Sequence, residues 1–145
     1  DLGHASPAIV PNLDADLVAK QVRSFSKGAA ASPSGLRPQH LKDAFSMEHA
    51  DEVREQLIGL VNLLARGEAP KPIADCLAGA TLIALEKKDC GIRPIAVGET
   101  VRRLVGKCLC EQDKSTALSY FWPLQIGGCL SPWHRSRRPD SITVA

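Results

Sequence analysis

Six cations, Lys87, Lys88, Arg93, Arg102, Arg103 and Lys107, stand within residues 87–107 against only Asp89 and Glu99, a local charge of +4. Groups of this kind suit a polyanion. A guanidinium gives two parallel N–H donors to one phosphate, and an ammonium acts as a compact point charge. No other set of side chains has a comparable chemical use. Ser24-Phe25-Ser26-Lys27 has the Ser-x-x-Lys spacing of some acylating enzymes, but no Lys-Thr-Gly or Ser-Asp-Asn accompanies it. His4, His40, His49 and His134 share no ligand spacing with one another or with cysteine pairs, so His40 is read as a helix-surface residue and no metal site is expected. Cys76, Cys90, Cys108, Cys110 and Cys129 are odd in number and contain no C-x-x-C, which reads as reduced thiols in an intracellular protein.

Periodicity gives the elements that must position the cations. Asp14 is placed to cap a helix carrying Leu17, Val18, Val22 and Phe25 on one side, with Leu13 and Val18 as a hydrophobic staple and Gly28 as its stop. Residues 28–38 are loop-like in composition, and Pro38 suits the first position of a short helix through Phe45. From Glu48, the residues Val53, Leu57, Leu60, Val61 and Leu64 recur at helical spacing and are expected to form the buried face of the longest helix, ended by Gly67 and Pro70. A short helical turn follows near Ile73 to Leu77. Thr81 to Leu85 and Ile92 to Val97 are apolar and β-branched around a turn at Lys88 to Gly91, the pattern of a β-hairpin. Pro94 has no N–H to donate, so its strand must be an edge or must turn Pro94 away from its partner. Beyond Gly98, a helix is expected to bury Val101, Leu104, Val105, Cys108 and Leu109 and to turn Arg102, Arg103 and Lys107 the other way.

The hairpin register decides which charges meet, and composition leaves it open. With Lys88 opposite Gly91, Glu86 faces Arg93; with a one-residue bulge at Gly91, Lys87 does. The first case allows an ordinary Glu86–Arg93 surface pair at a solvated tip, the second a cationic clamp. On the following helix, Glu99 is spaced to pair with Arg103 at i,i+4, which would make the basic face self-satisfied. Charge elsewhere has the opposite sign, with residues 48–68 at −3, although the whole chain is only +2. The chain is 44% hydrophobic, enough for a core. Its apolar runs are too short to span a bilayer, so no membrane partner is expected.

The run from Leu85 to Glu99, Leu-Glu-Lys-Lys-Asp-Cys-Gly-Ile-Arg-Pro-Ile-Ala-Val-Gly-Glu, continuing through Arg102-Arg103-Leu104-Val105-Gly106-Lys107, resembles the fingers hairpin and next helix of non-LTR retrotransposon reverse transcriptases. Ser32-Pro33-Ser34-Gly35-Leu36-Arg37-Pro38-Gln39-His40-Leu41-Lys42 resembles the block that opens the same region. Gly67-x-x-Pro70, the block Pro123-Leu124-Gln125-Ile126-Gly127 and the order of all four agree with the family. The resemblance implies an α+β fold, several helices around a small antiparallel hairpin, as in the fingers and front palm edge of a right-hand polymerase. It implies that Lys87 or Lys88, with Arg93, touches the triphosphate of an incoming deoxynucleotide. It also implies that Arg102, Arg103 and Lys107 lie against an RNA or DNA template.

Polymerase chemistry needs carboxylates that hold two divalent ions, Mg2+ in the complete family enzyme, and the family supplies them downstream of the Gln-x-Gly block. No Asp-Asp pair occurs in this chain, and Asp43-Ala44-Phe45 precedes the hairpin. No catalytic residue, metal or cofactor is therefore assigned, and the chain alone is expected not to polymerise. Its only methionine is Met47, which reads as a fragment or a processed product. The organisation expected is a flexible lead over 1–13, a partial fingers domain over 14–127, and a divergent, disordered tail over 128–145 with Trp133, Arg135, Arg137 and Arg138. Two other readings stand beside the fingers piece, a non-enzymatic basic nucleic-acid-binding module and a nonfunctional remnant of a retroelement. Template choice and oligomeric state are not encoded in these motifs.

Overall fold

A computed structural model describes residues 12–87 and 91–121, with the element order α1 (Ala15–Arg23), α2 (Pro38–Ala44), α3 (Ala50–Ala65), α4 (Lys71–Ala78), β1 (Ala80–Glu86), β2 (Ile92–Gly98), α5 (Thr100–Gln112) and α6 (Lys114–Phe121). The class is α+β, helices with one antiparallel two-stranded hairpin. The expected lead, the turn residues Lys88 to Cys90, the block Pro123 to Gly127 and the tail lie outside the described residues. The chain divides into two compact units between Leu109 and Cys110.

In the first unit, the Asp14 carboxylate accepts from Asp16 N–H at 3.2 Å and starts α1. Leu13 and Val18, the expected staple, are both in the core. α1 ends at Arg23, earlier than the glycine stop suggested, and Gly28 instead occupies the left-handed region at φ 73° in the loop beyond. Asn62, the polar break in the apolar run of α3, receives Leu13 N–H on Oδ1 at 2.6 Å and donates Nδ2 to Leu13 O at 3.2 Å. One side-chain amide thereby satisfies both main-chain groups of Leu13 and docks the start of α1 on α3.

The core gathers Val18 and Val22 of α1, Leu57 and Val61 of α3, and Leu104, Val105 and Cys108 of α5, with Leu13, Phe25 and Phe45 from the connections. The expected inward face of α5 is observed, with Val101 and Leu109 half-buried beside the three buried residues. On α3 the expectation fails at Leu60, which is 41% exposed and lines an open groove of about 430 Å³ with Glu52, Val53, Gln56 and Leu57. The apolar stripe of α3 is wider than the surface that α1 covers, so its flank stays in solvent. Burial pushes the Cys108 thiol up to about 11, with a small opposing pull from Lys107. Cys76, Cys108 and Cys110 are free thiols.

The hairpin pairs Ala80 with Gly98 through Glu86 with Ile92, as expected for its two arms. Neither strand buries a side chain. α4 is longer than the turn expected there, running from Lys71 to Ala78 with Pro72 in its first turn. In the second unit, the end of α5 is followed by α6, an element that periodicity did not indicate, and Lys114 Nζ stands 3.8 Å from Glu111 Oε2. Among the described residues, no helix is long and apolar enough to cross a membrane.

Candidate nucleic-acid interface

The register settles the charge geometry of the hairpin in a way neither alternative anticipated. Arg93 is opposite Leu85, Glu86 is opposite Ile92, and Lys87 N–H donates to Gly91 O at 2.7 Å. The ladder is thus shifted by one residue from the Glu86–Arg93 pairing and by two from the Lys87–Arg93 pairing. Side chains alternate faces along a strand, so Lys87, Leu85 and Arg93 share one face while Glu86 and Ile92 take the other. Lys87 and Arg93 are therefore diagonal neighbours, and the Glu86–Arg93 surface pair is excluded. Both cations are exposed, and no described carboxylate lies within ion-pair distance of either. Lys88 lies outside the described residues.

The three cations of α5 do not act as one patch. Successive helical residues are about 100° apart and i,i+4 residues about 40°, so Arg103 and Lys107 stand together and Arg102 stands apart. The Arg103 guanidinium lies 5.4 Å from the centre of the Phe25 ring, the Lys107 ammonium 4.9 Å from it, and Arg103 Nη1 donates to Ala30 O at 3.4 Å. Arg102 Nη1 instead donates to Ala78 O at 2.9 Å, holding the C-terminal end of α4. Lys42, at the end of α2, donates from Nζ to Phe25 O at 2.6 Å. Three cations from two helices thus converge on one phenylalanine, the ring attracting two of them through its negative face. Sequence reasoning missed Lys42 and Phe25 because the contact joins residues far apart in the chain; the Leu41-Lys42 end of the resembling block was the available signal.

Glu99 does not pair with Arg103. Its carboxylate is buried and accepts Ser34 N–H at 2.8 Å and the Ser34 hydroxyl at 2.9 Å. Its own main-chain oxygen accepts Arg103 N–H at 2.9 Å in the first turn of α5. Burial works to raise its pKa, but hydrogen bonds from Ser32, from Ser34 through both groups and from Thr100 N–H outweigh burial and hold it below the ordinary carboxylate value. The loop that receives it is folded for the purpose. Gly35 takes φ 82°, Ser32 N–H and Oγ both reach Leu36 O at 3.0 and 2.9 Å, and Thr100 Oγ1 donates to the same oxygen at 2.7 Å. One carboxylate thereby fastens the Ser32–Leu36 loop to the junction of β2 and α5, between the two sets of cations.

Among the described residues, no three His, Cys, Asp or Glu side chains are placed to hold a metal ion. Asp43 is on α2, where its Oδ1 accepts from Gln39 Nε2 at 2.7 Å, and His40 is exposed on the same helix. Compared with models of known protein families, with curated proteins and with solved structures, the chain matches none.

Proposed function

We propose that the chain is the fingers portion of a reverse transcriptase of the non-LTR retrotransposon type, gripping an incoming nucleotide triphosphate at the hairpin and template phosphates beside α5. The order of the motifs from Ser32 to Lys107 supports the reading, and one geometric observation carries it. Lys87 and Arg93 share a face of an exposed hairpin with no described carboxylate to neutralise them. Arg93 offers a bidentate fork and Lys87 a point charge, the combination that phosphate oxygens accept. The template side is Arg103, Lys107 and Lys42 about Phe25, cations that position a backbone without reading its sequence.

Titrating the purified chain with a deoxynucleoside triphosphate and with single-stranded RNA at two salt concentrations tests this. Both affinities fall as salt rises, because phosphate contacts release counterions. Arg93→Ala weakens triphosphate binding by roughly 10-fold, the loss of one charge-assisted contact. Arg102→Ala changes it little, since that guanidinium is turned to the end of α4. Affinity that ignores salt, or a triphosphate site indifferent to Arg93, overturns the reading. The cluster at Phe25 also fits a basic binding module with no nucleotide site, and RNA binding without triphosphate affinity selects that alternative.

A further inference from the structure

Leu82 and Ile92 of the hairpin are 74% and 70% exposed, and Ile83 and Leu85 are also open to solvent. A hairpin of this kind is only marginally stable unless something covers it. Its two outer edges differ. The Lys87 to Gly91 hydrogen bond sets the phase of the ladder, so residues 81, 83, 85 and 87 turn their main-chain groups toward β2 and Ala80, Leu82, Ala84 and Glu86 turn theirs outward. On β2 the outward residues are their partners Ile92, Pro94, Ala96 and Gly98. Pro94 therefore removes a donor from the outer edge of β2 and places its ring across it, which closes that edge. The β1 edge has no proline and no charge before Glu86, and all seven of its residues are exposed.

We infer that the outer edge of β1, which pairs with no other described strand, pairs antiparallel with β1 of a second copy of the chain, about a two-fold axis at Ile83. This register joins outward residues to outward residues, Leu82 with Ala84 and Ala80 with Glu86, and sets Ile83 against itself in a non-hydrogen-bonded pair. Leu85 then faces Thr81 of the second copy. Lys87 falls opposite Gly79 of the second copy, near the exposed Asp75 of its α4 and near the Arg102 that holds Ala78 O there, so opposite and like charges offset at that end, while Glu86 falls opposite the uncharged Ala80. With the β2 edge closed by Pro94, addition stops at two copies and a four-stranded sheet. A strand of seven residues is about 23 Å long and buries much less than the roughly 800 Å² per partner of a standard interface, so the dimer is reversible and concentration-dependent.

Sedimentation velocity on the full chain from micromolar to millimolar concentration tests this with two matched variants. Ala84→Pro and Ala96→Pro each remove only an outward N–H, the first from the β1 edge and the second from the β2 edge. The wild type passes from monomer to dimer, Ala84→Pro raises the dimer dissociation constant by at least about 10-fold, and Ala96→Pro leaves it unchanged. Should Ala84→Pro lose its helical circular dichroism, Leu82→Lys decides instead: it alters an exposed side chain on the same edge and brings two ammonium groups near the axis. A wild type that stays monomeric throughout, a dimer that survives both β1 variants, or one lost equally with Ala96→Pro overturns the inference.

Discussion

Glu99 shows how far a residue's role departs from its sequence neighbours. Spacing offered it Arg103 at i,i+4, yet its carboxylate goes to Ser34, because two short hydrogen bonds inside the protein outweigh an exposed ion pair. Its lowered pKa carries a sign. The unfolded carboxyl titrates near its ordinary value of 4.5 and the folded one lower, so its contribution is fully present above 4.5 and is lost as pH falls through the folded value. Glu99→Gln keeps the shape but breaks the fit of acceptors to donors, and it costs roughly 2 kcal/mol at neutral pH. Thermal unfolding from pH 7 to 3 checks both effects. The variant unfolds at lower temperature at pH 7, and the gap to wild type closes in the acid. A gap that persists unchanged there denies the carboxylate this role.

Among elements, periodicity located α1, α3, α5 and the two arms of the hairpin, because each has apolar residues at the spacing of its own geometry. It did not say how much of a stripe is covered. Leu60 and Leu104 look alike in sequence, but Leu104 is fully buried and Leu60 lies at the open flank of α3. Leu104→Ala is expected to destabilise by about 3 kcal/mol and Leu60→Ala by less than about 1 kcal/mol, since only the first leaves a cavity. Chemical denaturation of both variants measures the difference, and equal losses would mean that Leu60 is covered in solution. The hairpin is a second case. Its arms were legible from β-branched residues and turn chemistry, but its register was not, since Glu86 and Lys87 each made a plausible partner for Arg93 and the main-chain ladder gives it Leu85 instead.

At the scale of the whole molecule, no three described His, Cys, Asp or Glu side chains are placed to hold a metal ion, and Asp43 is on α2 while Asp113 lies between α5 and α6. Nucleotide transfer needs oxygen ligands holding two metal ions against triphosphate and primer, and cations such as Lys87 and Arg93 cannot supply them. The purified chain is therefore expected not to extend a primer with magnesium or manganese. Template-dependent product above a mock preparation, abolished by Arg93→Ala, would show that carboxylates do converge. The sequence by itself determined the local structure: the Asp14 cap, Pro38 at a helix start, the inward stripe of α5 and the pairing of two β-branched arms. These depend on residues a few positions apart, whose preferences are set by backbone geometry. Only the tertiary structure decided that Lys42, Arg103 and Lys107 meet at Phe25, that Arg102 leaves them for Ala78, and that Glu99 holds the Ser32–Leu36 loop. Those contacts join groups as many as 82 positions apart, Phe25 and Lys107 among them. Their partners are chosen by packing and by the need to satisfy buried polar groups, which no local pattern encodes.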